Sequence, residues 1–441
     1  MTNATDVGRR ADGEVGGGIA PLDRRVFAVA VVVLAVLMAL SPRYGFHIDE
    51  LYILDCARHL QASYVDQPAL APLLARISLS LFGVSEVGLR LWPALAAAGT
   101  VVVGGMTARE FGGARRAQLL AAVATATMPV LLGGAHVANT TSYEVLAWAA
   151  IALVVVRIGR TGDTRWWLAA GALVGIGAEF NHLAAIFGVV LLAAVLLGPA
   201  RRTAVDRRLL AGAAIAVLLV LPDLWWQSRH GWAMFEMTRA LNGKNGGPGN
   251  ILTWIVGQFG MACLAMTVLW VAGLRFLWRS GRPLWRCLVT AYAVLFVLFA
   301  VTTGAQVYYL GGLYVCLLAA GAVGLDGWLH SRPDRMRGLM VGTAVSAALL
   351  AVIVLPVLPP SDAAWTYGIN SNSGGIPGLA PAGGHRAAGM DRAPARAARE
   401  RGNLRGRLRR GWRHQRTRPR YRVTHRSERP QHRLVVGARQ P

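Results

Sequence analysis

Apolar residues fall in long blocks separated by short polar stretches along most of this chain. A bilayer core takes roughly 20 consecutive apolar residues as a helix. Backbone polar groups in lipid must pair within their own segment, which the α-helix achieves. The blocks at 26–43, 90–108, 117–134, 143–157, 166–180, 182–198, 209–224, 251–273, 287–303, 308–325 and 338–358 therefore predict an all-α polytopic membrane protein of about eleven transmembrane helices. Glu179, Asn181 and His182 imply a very tight turn inside 166–198. The first span reads as an uncleaved helix rather than a signal peptide: Arg24 and Arg25 precede Val26–Leu40, but many spans follow.

The connection 44–89 breaks the rhythm. From Pro68 onward, Leu70, Leu73, Leu74, Ile77 and Leu81 recur at helical spacing, with Pro72, Arg76 and Ser80 on another face. That is an amphipathic helix opened by Pro68, suited to the interface plane. Asp49–Leu60 is helical in pattern too, with Leu51, Leu54, Ala57 and Leu60 apolar. Both predict interfacial helices in a first outer loop.

Composition agrees with a membrane chain. Hydrophobic residues make up 54% of it, too many for an ordinary soluble protein, and short alternating strands of a barrel are missing. The cysteines Cys56, Cys263, Cys287 and Cys316 lack metal-ligand spacing. His136 and His182 lie near outer helix ends without partners at ligand spacing, so no metal site is predicted.

The net charge of +24 is uneven: 18 of the 46 basic residues follow position 360. In the membrane body the charge separates by side. Twenty-one Lys and Arg fall on the side of the N-terminus, among them Arg109, Arg157, Arg160, Arg201, Arg208 and Arg282. Seven fall opposite: Arg43, Arg58, Arg76, Arg90, Arg229, Arg239 and Lys244. Short cytoplasmic loops carry the basic excess, which predicts a cytoplasmic N-terminus in a cell (plasma) membrane protein. The layout is a disordered leader at 1–23, a transmembrane domain at 24–360 and a basic tail at 361–441. The tail, rich in Arg, Gly, Pro and Ala, cannot bury enough surface to fold alone. A C-terminus translated out of frame and a basic tail holding anionic lipid or polymer both stay open; nucleic acid is not an expected partner.

Acids gather opposite the basic excess. Asp49, Glu50, Asp55, Asp66 and Glu86 lie in the first outer loop, while Glu144, Glu179 and Asp223 stand at outer ends of later helices. Ionisable groups near a membrane are costly and mark functional sites, although each alone also suits capping or snorkelling. Trp225, Trp226, Trp232, Tyr308 and Tyr309 suit an outer aromatic belt.

At this point a family resemblance becomes specific. YGFHIDELYILDCARHL, directly after the first span, resembles the acidic motif of the protein O-mannosyltransferase-like glycosyltransferases (family 39, GT-C fold), and YVDQPALAPLLARI resembles their second motif. LRLWPALAAAGTVVV, RWWLAAGALVGIGAEFNHLA, PDLWWQSRHGW and AQVYYLGGLY are similar to further stretches, so the likeness covers about 24–370. It implies an inverting transfer of a mannose-like sugar from a polyprenyl-phosphate donor to a protein, lipid or glycan acceptor outside the cytoplasm. It also implies Asp49 as catalytic base with Glu50 beside it, Asp66 as a second acid, and Glu144 as a displaced match to a third carboxylate; on a helix Glu50 points about 100° away from Asp49, which also suits it as a structural partner to a nearby Arg.

The chemistry itself asks for such groups. A carboxylate must take the acceptor's proton, and cations must stabilise the departing phosphate. Arg58, Arg76 and Arg90, with the pair Arg229 and His230, are the basic candidates; Tyr308 and Tyr309 are candidate sugar contacts. No cofactor is certain, and a divalent cation stays open. A transporter or flippase of a lipid-linked sugar is the alternative, but it would place polar groups near the midplane and show internal repeats, and neither pattern is present.

Overall fold

The computed structural model describes residues 19–358, except 238, 240–248, 263 and 303–305. Most of the leader, the basic tail, Cys263 and Lys244 lie outside the described residues. The described chain forms helices and no strands, so the protein is all-α and polytopic.

The helices are α1 Arg24–Leu40, α2 Ile48–Arg58, α3 Leu70–Phe82, α4 Glu86–Glu110, α5 Arg115–Ala126, α6 Pro129–Ala135, α7 Thr141–Thr161 and α8 Trp166–Ala178. After them come α9 Leu183–Leu197, α10 Arg207–Arg229, α11 Gly249–Ala262, α12 Leu264–Arg279, α13 Pro283–Val301, α14 Gly311–His330 and α15 Pro333–Val354. A 3-10 turn, Val307–Leu310, leads into α14.

Every predicted span is helical, but 117–134 and 251–273 each fall on two helices, and the lengths differ from expectation. Among the described residues, six segments are long and apolar enough to cross a bilayer alone: α4, α7, α10, α13, Val307–His330 and Arg337–Val354. The pair α5 and α6, bent by 53° at its break, counts as a seventh when taken as one span. The bend sits at Thr127–Met128, before Pro129, which cannot donate to the preceding turn. α8 and α9, of 13 and 15 residues, are short for a span, because Glu179–His182 turns the chain early.

Pro68 does not open the interfacial helix. It bridges back to Ser63 and closes a tight turn, and α3 starts at Leu70.

Close helix contacts depend on glycine. A Cβ at Gly321 of α14 would run into the Leu269 carbonyl of α12, and one at Gly273 of α12 into that of Leu317. α8 and α10 approach the same way through Gly171 and Gly212. Around α14 lies the core, with Trp148 stacked on Phe187 at 4.6 Å.

Polar contacts sort the helix ends into two faces. On one, the Arg43 guanidinium reaches the Val357 carbonyl at 2.8 Å and the Tyr44 hydroxyl that of Leu358 at 2.7 Å. The end of α15 therefore shares a face with the first loop. On the other, the Asp23 amide donates to Gln118 at 2.9 Å, Arg160 pairs with Glu110 at 2.7 Å, and Arg282 caps the Gly159 carbonyl at 2.9 Å.

Candidate active site at the first-loop face

The site begins with the start of α2. His47 Nδ1 accepts from the Asp49 amide at 3.1 Å, and the Glu50 carboxylate accepts from the His47 amide at 2.8 Å. This reciprocal cap fixes where the helix starts. Acids in the first turn also suit the helix dipole. One residue apart on a helix means about 100° of rotation, so Asp49 and Glu50 face different surroundings. Asp49 stays 57% exposed, while the Glu50 side chain is fully buried.

Glu50 is taken up by a long-range knot. Arg90 of α4 forks onto it through Nε at 2.8 Å and Nη2 at 2.7 Å, and the Ala138 amide donates at 2.9 Å. The remaining Arg90 N–H groups donate to the carbonyls of Ser41, of Tyr44 at 3.2 Å and of Gly45 at 2.9 Å. A guanidinium has five N–H donors, and all five are engaged. This differs from the expectation that Arg90 meets substrate and that Glu50 takes part in catalysis: both are spent holding the loop to α4 and the α6–α7 connection. Glu50 as partner to a nearby Arg is what the geometry displays. His136 lies against this knot with Nδ1 2.9 Å from the Gly133 carbonyl, and burial, then the Arg90 charge, push its imidazole down to about 4.

Asp66 faces Asp49's helix. It is exposed at the tip of the 63–68 turn, where the Tyr52 hydroxyl donates to it at 2.6 Å. Tyr52 is three residues after Asp49, on the same side of α2. The hydroxyl is held protonated well above its usual range, by burial first and by Asp66 next.

Glu144 is buried in the first turn of α7 and accepts from Asn181 Nδ2 at 2.9 Å. Tyr308 and Tyr309 lie within range of its charge, and Tyr308 also within range of Asp49's. Tyr308 thus lies towards both Asp49 and Glu144, Tyr309 towards Glu144, and Asp66 is joined to Asp49's helix through Tyr52. Arg58 and Arg76 are exposed at this face. Arg229 lies over the Trp225 ring at 5.6 Å, and His230 stacks on Trp226 at 3.9 Å with Nδ1 2.8 Å from its carbonyl. That leaves Arg58, Arg76 and Arg229 as the exposed guanidiniums of the set. Among the described residues, no three His, Cys, Asp or Glu side chains are grouped to hold a metal ion. The divalent cation left open above has no ready-made ligand set there.

Residues 66–226 match the family model described as dolichyl-phosphate-mannose-protein mannosyltransferase. ArnT from Cupriavidus metallidurans in the apo state superposes with a TM-score of 0.56 at 20% identity, over 76% of this chain and 64% of that one. The fold is that of the GT-C glycosyltransferases. ArnT from the same organism bound to undecaprenyl phosphate gives 0.56 at 21% identity, over 76% and 65%. An oligosaccharyltransferase from Archaeoglobus fulgidus is more remote, at 0.47 and 13% identity, over 81% and 57%. The chain spans just under two thirds of the length of ArnT. No curated protein matches its sequence.

Sequence reasoning missed Tyr52 and Asn181 as site neighbours. Tyr52 carried a signal, a polar group one turn from Asp49. Asn181 carried none, because its partner lies 37 residues away.

Proposed function

We propose that this protein is a membrane glycosyltransferase that moves a sugar from a polyprenyl-phosphate donor to an acceptor outside the cytoplasm, with inversion. The observation that carries the reading is the exposed Asp49, held at the capped start of α2 on the first-loop face of a GT-C fold, with Asp66 one tyrosine away. Polyprenyl phosphate as the donor's lipid is carried over from the ArnT complex with undecaprenyl phosphate.

In this reaction the Asp49 carboxylate takes the proton of an acceptor hydroxyl as that oxygen bonds to the anomeric carbon. The bond from that carbon to the phosphate oxygen breaks on the opposite side, and the electron pair leaves with the polyprenyl phosphate. Arg58, Arg76 and Arg229 are the guanidiniums available to meet the departing charge, since a guanidinium can fork onto phosphate oxygens. Asp66 orients the acceptor from the 63–68 turn. Tyr308, Tyr309 and Glu144 border the place where the sugar sits. The N-terminus is cytoplasmic and the site faces outward, in keeping with the charge split of the loops.

The test is transfer from a labelled lipid-phosphate sugar by the detergent-solubilised full chain. Asp49→Asn preserves shape and removes basicity, so turnover drops by about 10²–10⁴ while donor binding survives. Undiminished transfer by Asp49→Asn, with loss in Asp66→Asn, reverses the two roles. Indifference to both sinks the reading.

A further inference from the structure

The turn that carries Asp66 is gripped from below by residues with no part in the chemistry above. Ser63 Oγ donates to Asp223 Oδ1 at 2.5 Å, across 160 residues. Gln227, one turn further along α10, donates through Nε2 to Ser63 Oγ at 3.3 Å and to the Tyr64 carbonyl at 2.9 Å. Trp226 Nε1 donates to Gln61 Oε1 at 2.8 Å. Within the turn, the Tyr64 amide donates to the Gln67 carbonyl at 3.0 Å and Ser63 bridges Pro68. Asp223 and Gln227 are almost wholly buried, so an end of a membrane helix is committed to one short turn.

Asp223 is held in its turn by the α8–α9 connection. His182 Nε2 lies 3.1 Å from Asp223 Oδ2, on the oxygen that Ser63 leaves free. The same connection reaches three other elements. The Glu179 carbonyl accepts from the Leu70 amide at the start of α3 at 3.1 Å. Phe180 stacks on Tyr143 at 4.5 Å, and Asn181 binds Glu144. A short turn thus fixes α3, α7 and α10 against one another beneath Asp66.

A buried carboxylate on a membrane helix is costly unless paired, and here its pairing is spent on placing the acid turn. We infer that Asp223 and His182 are positioning residues: through Ser63 they set where Asp66 stands relative to Asp49, while Tyr52 sets its carboxylate. This rests on the reading that Asp66 orients the acceptor. The cost of misplacement is steep, because about 1 Å can cost 10²-fold in rate.

The test compares Asp223→Ala, Ser63→Ala and the conservative Asp223→Asn, which still offers Ser63 an acceptor oxygen. Amide exchange in the detergent-solubilised full chain reads the clamp without reference to activity. Loss of the clamp raises exchange at Tyr64 and Leu70 about tenfold in Asp223→Ala, with protection restored in Asp223→Asn. Unchanged exchange in Asp223→Ala overturns the clamp, whether or not the parent transfers sugar. In the transfer assay, kcat/KM for the acceptor falls about 10- to 100-fold at unchanged donor Kd, and Asp223→Asn recovers most of it. Equal losses in donor affinity, or faster exchange with no change in acceptor kcat/KM, overturn the positioning role. A parent that transfers nothing refutes the proposed function, and the exchange arm still decides the clamp. If Asp223→Ala does not fold, Ser63→Ala removes the same contact and leaves α10 intact.

Discussion

Replacing Arg90 by leucine removes the centre of the first-loop knot. Glu50 is left as a fully buried carboxylate with only the His47 and Ala138 amides. The carbonyls of Ser41, Tyr44 and Gly45 lose a donor as well. Removing one partner of a buried ion pair costs about 3–5 kcal/mol. The two amides soften the loss, which places Arg90→Leu near the lower figure, still a large share of the roughly 5–15 kcal/mol that holds a domain folded. Glu50→Gln in the same chain neutralises the stranded charge and keeps an acceptor for both amides. The double variant Glu50→Gln with Arg90→Leu is therefore more stable than Arg90→Leu alone. The assay is thermal unfolding in detergent, followed by tryptophan fluorescence, on parent, both single variants and the double. A midpoint for Arg90→Leu equal to the parent's, or a double variant that is simply the sum of the singles, refutes the knot.

Three more outcomes follow from the geometry. Gly321→Val forces α14 off the Leu269 carbonyl of α12, and the overpacking destabilises by about 1–3 kcal/mol or more; valine at the open position Gly327 is the matched control in thermal unfolding. His136, depressed when folded to about 4, favours the folded state fully only above its unfolded value near 6.5. Its contribution is lost as pH falls from there toward 4, so His136→Asn flattens the parent's decline in melting midpoint across that window, and parallel profiles would falsify the point. For topology, single cysteines at Arg239 or Lys244 react with an impermeant reagent added outside cells, and one at Arg202 does not; the reverse pattern overturns the orientation.

The helices were legible because lipid demands runs of apolar residues, and every run is helical, although 117–134 and 251–273 each fall on two helices. Their lengths were less so. α8 and α9 break at Glu179–His182, where the polar residues predict the tight turn, and each is two residues shorter than the span drawn for it; Pro68 serves a turn closed on Ser63 instead of a helix start. Asp49 and Glu50 were distinguished by helix geometry alone, down to Glu50's pairing with an arginine. That the arginine is Arg90, 40 residues on, and that it has no donor left for substrate, depends on how α4 packs beside the loop. Asp223 looked like one more acid at a helix end, and only the fold reveals Ser63 against it.

Tyr44 stands between two structures that are far apart in the chain. Its carbonyl accepts from Arg90, and its hydroxyl donates to Leu358, just past α15. The final described helix is therefore fastened to the base of the first loop, like a strap to its buckle. That arrangement matters for handling the protein: a purification tag or reporter joined close behind Leu358 would pull on the same residue that braces Asp49's helix. Fusion partners on that side are best set off by a long flexible spacer, and a drop in transfer that scales with spacer shortening would report the strain.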